Sequence, residues 1–339
     1  MEGKTKKIFD LELVKRFVSD YKLPIPLYMD EYETFAYYLD LYEADYGARS
    51  KWDRLADYIE EHFDGNPKKF VADYYKCREA VIQYFLANPA LESFRKMDMN
   101  KFGIQNRRPK CSSKGVYNNE SNGKCFLSID LRKANFQAMR YVDPNLVDQK
   151  DTYEDFIAQF APGNDYFIKS KYMRQVIFGQ ACPSRQVTVE SYMLLLVWEL
   201  WKETMPAAYQ DIVSFSTDEF IIQMSWESVR VLSSQVYLDE FVEKAKNNLG
   251  IVIHYDLYTL ETWQLRPVSP RKRTQTFYKK ISLLQFEDKE ELVCVPQKYR
   301  AMIIKMMNGQ EITDIDRSFE DESYRAELKD DFILAKGCK

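Results

Sequence analysis

Asp211-Ile212-Val213-Ser214-Phe215-Ser216-Thr217-Asp218-Glu219-Phe220-Ile221-Ile222-Gln223-Met224 is the stretch whose reading decides the fold. Two apolar runs around a polar tip predict a β-hairpin, because Ser, Thr and Asp satisfy the backbone groups that a tight turn exposes. Upstream, residues 186–204 carry Val189, Met193, Leu196, Val197 and Leu200 on one helical face. Downstream, residues 234–249 repeat at helical spacing and stop at Gly250, after which Ile251 to Tyr258 alternates as a strand. Further upstream, Cys125-Phe126-Leu127-Ser128-Ile129 is a short apolar run ending at Asp130, as a buried strand would. The order strand, helix, hairpin, helix, strand predicts an α+β fold, an antiparallel sheet backed by helices.

The remaining segments divide around this unit. Residues 1–95 read as a helical N-terminal domain, with Phe70, Tyr74, Cys77, Val81 and Phe85 at three- and four-residue steps. Residues 96–123 read as a basic linker or finger-like loop containing Arg107, Arg108 and Lys110. Residues 124–265 form the central unit. Residues 266–310 read as a basic segment, in which Arg266 to Lys280 holds six cations and no acid, followed by an amphipathic helix over 296–308. Residues 311–339 read as an acidic, solvated tail.

The chain has 339 residues, enough for two structural units with a sizeable core, and 15% aromatic residues beside 29% charged ones describe a packed globular protein. A formal net charge of -4 argues against a uniformly basic nucleic-acid binder and leaves local patches open. The six cysteines (Cys77, Cys111, Cys125, Cys182, Cys294, Cys338) show no CxxC spacing and read as reduced thiols, and with only His62 and His254 a structural zinc site is not expected. Both histidines read as structural. No signal peptide and no apolar run of 18 residues is present, so a cytoplasmic protein without membrane contact is expected.

Asp130 at a strand end and Asp218-Glu219 at a hairpin tip are residue types that can hold one or two magnesium ions. Each has an ordinary reading as well, since a strand-end Asp or a Ser-Thr-Asp turn is common. Between them, Phe178-Gly179-Gln180-Ala181-Cys182-Pro183-Ser184-Arg185-Gln186 is a glycine-and-proline turn opening into the apolar helix. No glycine-rich phosphate loop occurs, so phosphate binding would fall to metal and basic side chains.

In this order the segments resemble motifs A, B and C of right-hand polymerases, reverse transcriptases in particular. Asp130 to Phe136 is similar to motif A, Gly179-Gln180 with Pro183-Ser184 to motif B, and Phe215 to Ile222 to motif C. Asn248-Leu249-Gly250-Ile251 is similar to the Leu-Gly step of motif D. Gly179 follows Asp130 by 49 residues and Asp218 follows Gly179 by 39, spacings that suit that family. The resemblance covers roughly 110–265. Glu219 replaces the family's second Asp, and Asn135 replaces the aromatic that excludes ribonucleotides, which puts sugar choice in doubt and somewhat favours ribonucleotides. Asp218-Glu219-Phe220 is also similar to the hairpin of diguanylate-cyclase palms, and Ile129-Asp130-Leu131-Arg132 to a motif of tRNA-His guanylyltransferases. In both of those the carboxylates stand closer together than the 88 residues seen here.

The resemblance implies a palm-type nucleotidyltransferase that adds nucleotides to a nucleic-acid 3′ end. Asp130, Asp218 and Glu219 would be catalytic and would bind Mg2+ or Mn2+. Arg132, Lys133, Asn135, Phe136, Gln180 and Arg185 would contact the nucleotide, and Arg107, Arg108, Lys110, Arg271, Lys272 and Arg273 the nucleic acid. Partners would be nucleoside triphosphates and a DNA or RNA primer and template. A template-independent cyclic or oligonucleotide synthase and a noncatalytic nucleic-acid-binding protein with the same fold are the alternatives.

Overall fold

A computed structural model of the chain describes residues 8–27, 31–104, 107–111, 114–206, 211–269, 273–285, 287–321 and 324–337. The central unit is the α+β arrangement expected. Strand β1 (Cys125–Leu131) is followed by helices that include Ala134–Val142 and Pro183–Thr204, then by the hairpin β2 (Ile212–Phe215) and β3 (Glu219–Met224). Helices Trp226–Leu232 and Val236–Leu249 lead to β4 (Ile253–Pro267). The spatial order β2-β3-β1-β4 is antiparallel throughout, which is the split βαβ connectivity. β1 therefore lies between the hairpin and β4.

Local chemistry sets the boundaries. Pro183 opens the long helix at a position that needs no N–H, and Cys182 precedes it in the left-handed region at φ 59°. Gly250, at φ 68°, closes helix Val236–Leu249 with its N–H bonded to the last turn, a conformation that favours glycine.

Alternation in β1 separates two environments. Cys125, Leu127, Ile129 and Leu131, with Phe220, Ile222 and Met224 of β3 and Ile253 and Leu257 of β4, join a large core with helix Pro183–Thr204. Phe126, Ser128 and Asp130 face the other way, toward Tyr258, Asp256 and His254 of β4 in register. On that second face, Phe126, Ile221, Tyr258, Leu260 and Tyr278 form a smaller cluster with Val116. The face turns polar toward the Asp130 end.

Four boundaries differ from the sequence reading. The N-terminal helices, from Leu11–Tyr21 to Pro89–Lys96, share the large core with the helices behind the sheet rather than burying a core of their own. Residues 114–123 lie against the sheet's second face, with Val116 in its apolar cluster, Asn122 accepting from the Thr262 N–H at 2.8 Å and the Gly123 N–H donating to Leu260 O at 2.7 Å. The basic segment supplies β5 (Gln275–Ser282), paired with β4 along eight positions, and β6 (Glu290–Val293) beyond it. The acidic segment supplies a hairpin, β7 (Ser318–Asp321) and β8 (Tyr324–Glu327), and then β9 (Phe332–Lys336), which pairs with the far half of β4. Phe332 and Leu334 bury against helix Gln297–Met307, and this apolar anchoring outweighs the acidic composition around it. No helix among the described residues is long and apolar enough to cross a membrane.

Candidate functional site

The hairpin tip is fixed to the end of β1. Ser216 N–H donates to Glu219 O at 2.8 Å, and the Ser216 hydroxyl accepts from Glu219 N–H at 3.0 Å, leaving Thr217 and Asp218 at the turn. The Leu131 N–H donates to Asp218 O at 2.7 Å. Asp130, one residue before Leu131, is directly cross-strand from Glu219 on one side and His254 on the other. Three carboxylates separated by up to 89 residues in the chain thus meet at one corner of the sheet.

The cations that pair at the corner gather on Asp256 and not on Asp130. Burial raises the Asp130 carboxyl above its ordinary range, Asp256 and Asp218 add repulsion, and His254 and Lys280 oppose the shift. Burial likewise raises Glu219, against the hydroxyl of Ser128, which donates to its Oε1 at 2.5 Å, and against Lys280. Glu190, half-buried on helix Pro183–Thr204, is pushed up to about 7 by burial and then by Asp218. Asp256 behaves in the opposite way. His254 first, then Lys280 at 2.8 Å and Lys289, hold it well below the usual carboxylate range.

Arg108 braces the tip from outside, its guanidinium donating to Ser216 O at 2.8 Å and lying 5.5 Å from the Phe215 ring centre. Arg107 pairs with Glu199, Nε to Oε1 at 3.2 Å and the terminal nitrogen to Oε2 at 2.5 Å, while Lys110 and Arg273 are exposed. Arg271 and Lys272 lie outside the described residues.

The other expected nucleotide contacts divide. Arg132 is exposed beside Asp130, and its N–H donates to Val252 O at 3.0 Å. Lys133 starts helix Ala134–Val142 from the left-handed region at φ 55°, and its ammonium is paired with Glu154. Asn135 accepts from the Phe136 N–H at 2.9 Å. Phe136 is in the core, 2% exposed, among the rings of Tyr153, Phe156 and Phe178, so its ring faces neither solvent nor a ligand. Gln180 is exposed in the turn, and Arg185 donates to Met97 O at 2.6 Å. Gln186 stabilises that turn by donating to Phe178 O at 2.7 Å and Ala181 O at 2.5 Å.

Among the described residues no three His, Cys, Asp or Glu side chains form a ready-made metal cage. The donor set at the corner is nevertheless the hard-oxygen kind that Mg2+ and Mn2+ take, and magnesium is commonly held by one or two carboxylates with substrate phosphates and water completing its shell. The partial burial of Asp130 and Glu219, and their repulsion from each other and from the exposed Asp218, fit a cation there.

Sequence reasoning missed Ser128, Asp256, His254, Lys280 and Glu190 as members of the corner. Alternation gave a signal for three of them: Ser128 is two residues before Asp130, and His254 and Asp256 occupy alternate positions of the strand that was read. Lys280 and Glu190 arrive through tertiary packing. Comparisons with protein-family models, curated proteins and solved structures returned no match.

Proposed function

We infer that the protein is a palm-type, metal-dependent nucleotidyltransferase that extends a nucleic-acid 3′ end. The observation that carries this reading is the hydrogen bond from Leu131 to Asp218 O, which holds the hairpin tip beside Asp130 on a sheet of order β2-β3-β1-β4. Asp130 and Asp218 would hold Mg2+ or Mn2+, with Glu219 beside them. When bound, the metal would lower the pKa of an attacking hydroxyl and neutralise charge on a triphosphate.

The chain's own residues would supply the setting. Ser128 fixes the Glu219 carboxyl through its hydrogen bond, and Arg108 fixes the tip that carries Asp218. Arg132, exposed beside Asp130, is free to meet a phosphate, whereas Lys133 is committed to Glu154. Lys280 and His254 balance Asp256 and leave Asp130 and Asp218 as the acids most in need of a cation.

The test is incubation with Mg2+ or Mn2+, labelled nucleoside triphosphates and DNA or RNA primers. Primer extension that is lost in Asp130→Asn and in Asp218→Asn is the expected result. Primer-independent small products would move the assignment to an oligonucleotide synthase. Full activity in both variants, or nucleic-acid binding with no turnover under either metal, would overturn it.

A further inference from the structure

We propose a second ligand site, for a nucleotide bound through its phosphates, in the groove between the N-terminal helices and helix Gln297–Met307. The groove encloses about 560 Å³, within the range of small-molecule sites. None of its lining residues belongs to the carboxylate corner, so a ligand there would be an effector or a second substrate rather than the metal-bound triphosphate.

Charge decides the class of ligand. Lys22 and Arg300 line the groove, and the Lys22 ammonium is lowered first by burial and then by two more cations, Lys171 and Arg174. In a chain of net charge -4 this is a local excess of cations. Among the described residues, no carboxylate lies within ion-pairing distance of Lys22 or Lys171. Glu320, the one acid lining the groove, is engaged by the Leu27 N–H at 2.8 Å. Arg300 is held in place by donating to the Tyr46 hydroxyl at 2.7 Å.

Backbone donors add to the field. Helix Gln297–Met307 begins in the groove wall with no side chain capping its N-terminus, and such unsatisfied N–H groups favour an anion. The Tyr46 and Tyr172 rings also line the groove, each paired with a guanidinium, Arg300 at 5.9 Å and Arg16 at 4.5 Å from the ring centre, so that an arginine–tyrosine pair and not a bare ring would meet a base. Phosphates on Lys22 and the helix start, with Lys171 and Arg174 behind Lys22 adding to the positive field and the base toward the tyrosines, use each of these features.

The left-handed backbone of Lys22, at φ 50° and ψ 42°, supplies a clean test. Glycine prefers that conformation, so Lys22→Gly removes the ammonium while relieving backbone strain, and the variant should fold at least as well as the parent. Isothermal titration of the full chain with ATP in EDTA buffer, which suppresses metal-dependent binding at the corner, should give one site. Lys22→Gly should weaken it about tenfold or more, the effect of losing one charge-assisted contact, and Lys171→Gln, one shell further out, by a smaller factor, while Asp218→Asn leaves it unchanged. Adenosine should bind far more weakly than ATP, and inorganic tripolyphosphate more weakly than ATP. Unchanged affinity in a folded Lys22→Gly protein, or no ATP binding to the parent, would overturn the site. Tripolyphosphate binding as tightly as ATP, or adenosine doing so, would overturn the nucleotide assignment. Loss of ATP binding in Asp218→Asn would return the ligand to the corner.

Discussion

Asp20, on helix Leu11–Tyr21, accepts hydrogen bonds from the hydroxyls of Tyr74 at 2.8 Å, Tyr166 at 2.7 Å and Ser170 at 3.1 Å, while no described side chain donates to Asp130 at the corner of the sheet. Burial raises the pKa of both carboxyls. The difference is what surrounds them. Asp20 meets three hydroxyls and, at 3.8 Å, the Arg16 guanidinium, so its environment was assembled to receive it. Asp130 meets Asp256 and Asp218, opposed by the charges of His254 and Lys280 and by no hydrogen-bond donor among the described side chains. A buried carboxylate with its donors built in serves the fold, and one left facing Asp218 and Glu219 without donors is a candidate for function.

Substitution can break this contrast. Asp20→Ala, which strands three hydroxyls and an arginine, should cost about 3–5 kcal/mol in urea unfolding. Asp130→Asn should change stability by less than about 1 kcal/mol, because it removes repulsion and strands no donor. If the function proposed above is correct, the same Asp130→Asn change should cut nucleotide incorporation roughly 10²–10³-fold. Equal destabilisation by the two substitutions would erase the distinction.

Glu190 sharpens the contrast through pH. Its folded pKa of about 7 stands above the ordinary 4.5 of glutamate, so the native state binds the proton more tightly than the unfolded chain does. Its ionisation therefore costs stability progressively between pH 4.5 and pH 7. Glu190→Gln should be more stable than the parent by on the order of 1–3 kcal/mol at pH 8 and equal to it at pH 4, measured by urea unfolding at both. A pH-independent difference would show that neither burial nor Asp218 raises Glu190.

The smallest effects concern the two arginines beside the hairpin. Arg108→Ala removes the donor to Ser216 O and should cost about 1 kcal/mol, with faster amide exchange at Thr217 to Glu219. Arg107→Ala loses a surface pair with Glu199 and should cost under about 1 kcal/mol, with no change at the hairpin. Matching exchange profiles would show that the tip does not depend on Arg108.

Asp130 and Asp218 were legible in the sequence because a strand end and a hairpin tip are local features, each written within a few residues of its own segment. β1, β2, β3 and the start of β4 were legible for the same reason, while β4 runs on past Tyr258, where the reading ended it, to Pro267. β5 was not, since its Lys279 and Lys280 raised the basic count of the segment while Phe277 and Tyr278 did the packing. β9 was hidden by the charged residues around Phe332, Ile333 and Leu334. Phe136 misled in the other direction, because an aromatic after a strand-end Asp suits a ligand pocket as well as a core, and the choice was made by Tyr153, Phe156 and Phe178. Glu190 and Lys280 had no local signal at all.

The 15-residue strand β4 touches β1, β5 and β9, and two of those partners are far from it along the chain. Thr259 pairs with Cys125, 134 residues earlier, and Trp263 with Lys336, 73 residues later. During synthesis the N-terminal helices can form through near-neighbour contacts, but β4 must wait for its last neighbour until residue 336 has left the ribosome. Pairings this distant make for slow assembly, so a nascent chain would spend much of its time with the edge of β4 open to unintended strands and in need of a chaperone's cover.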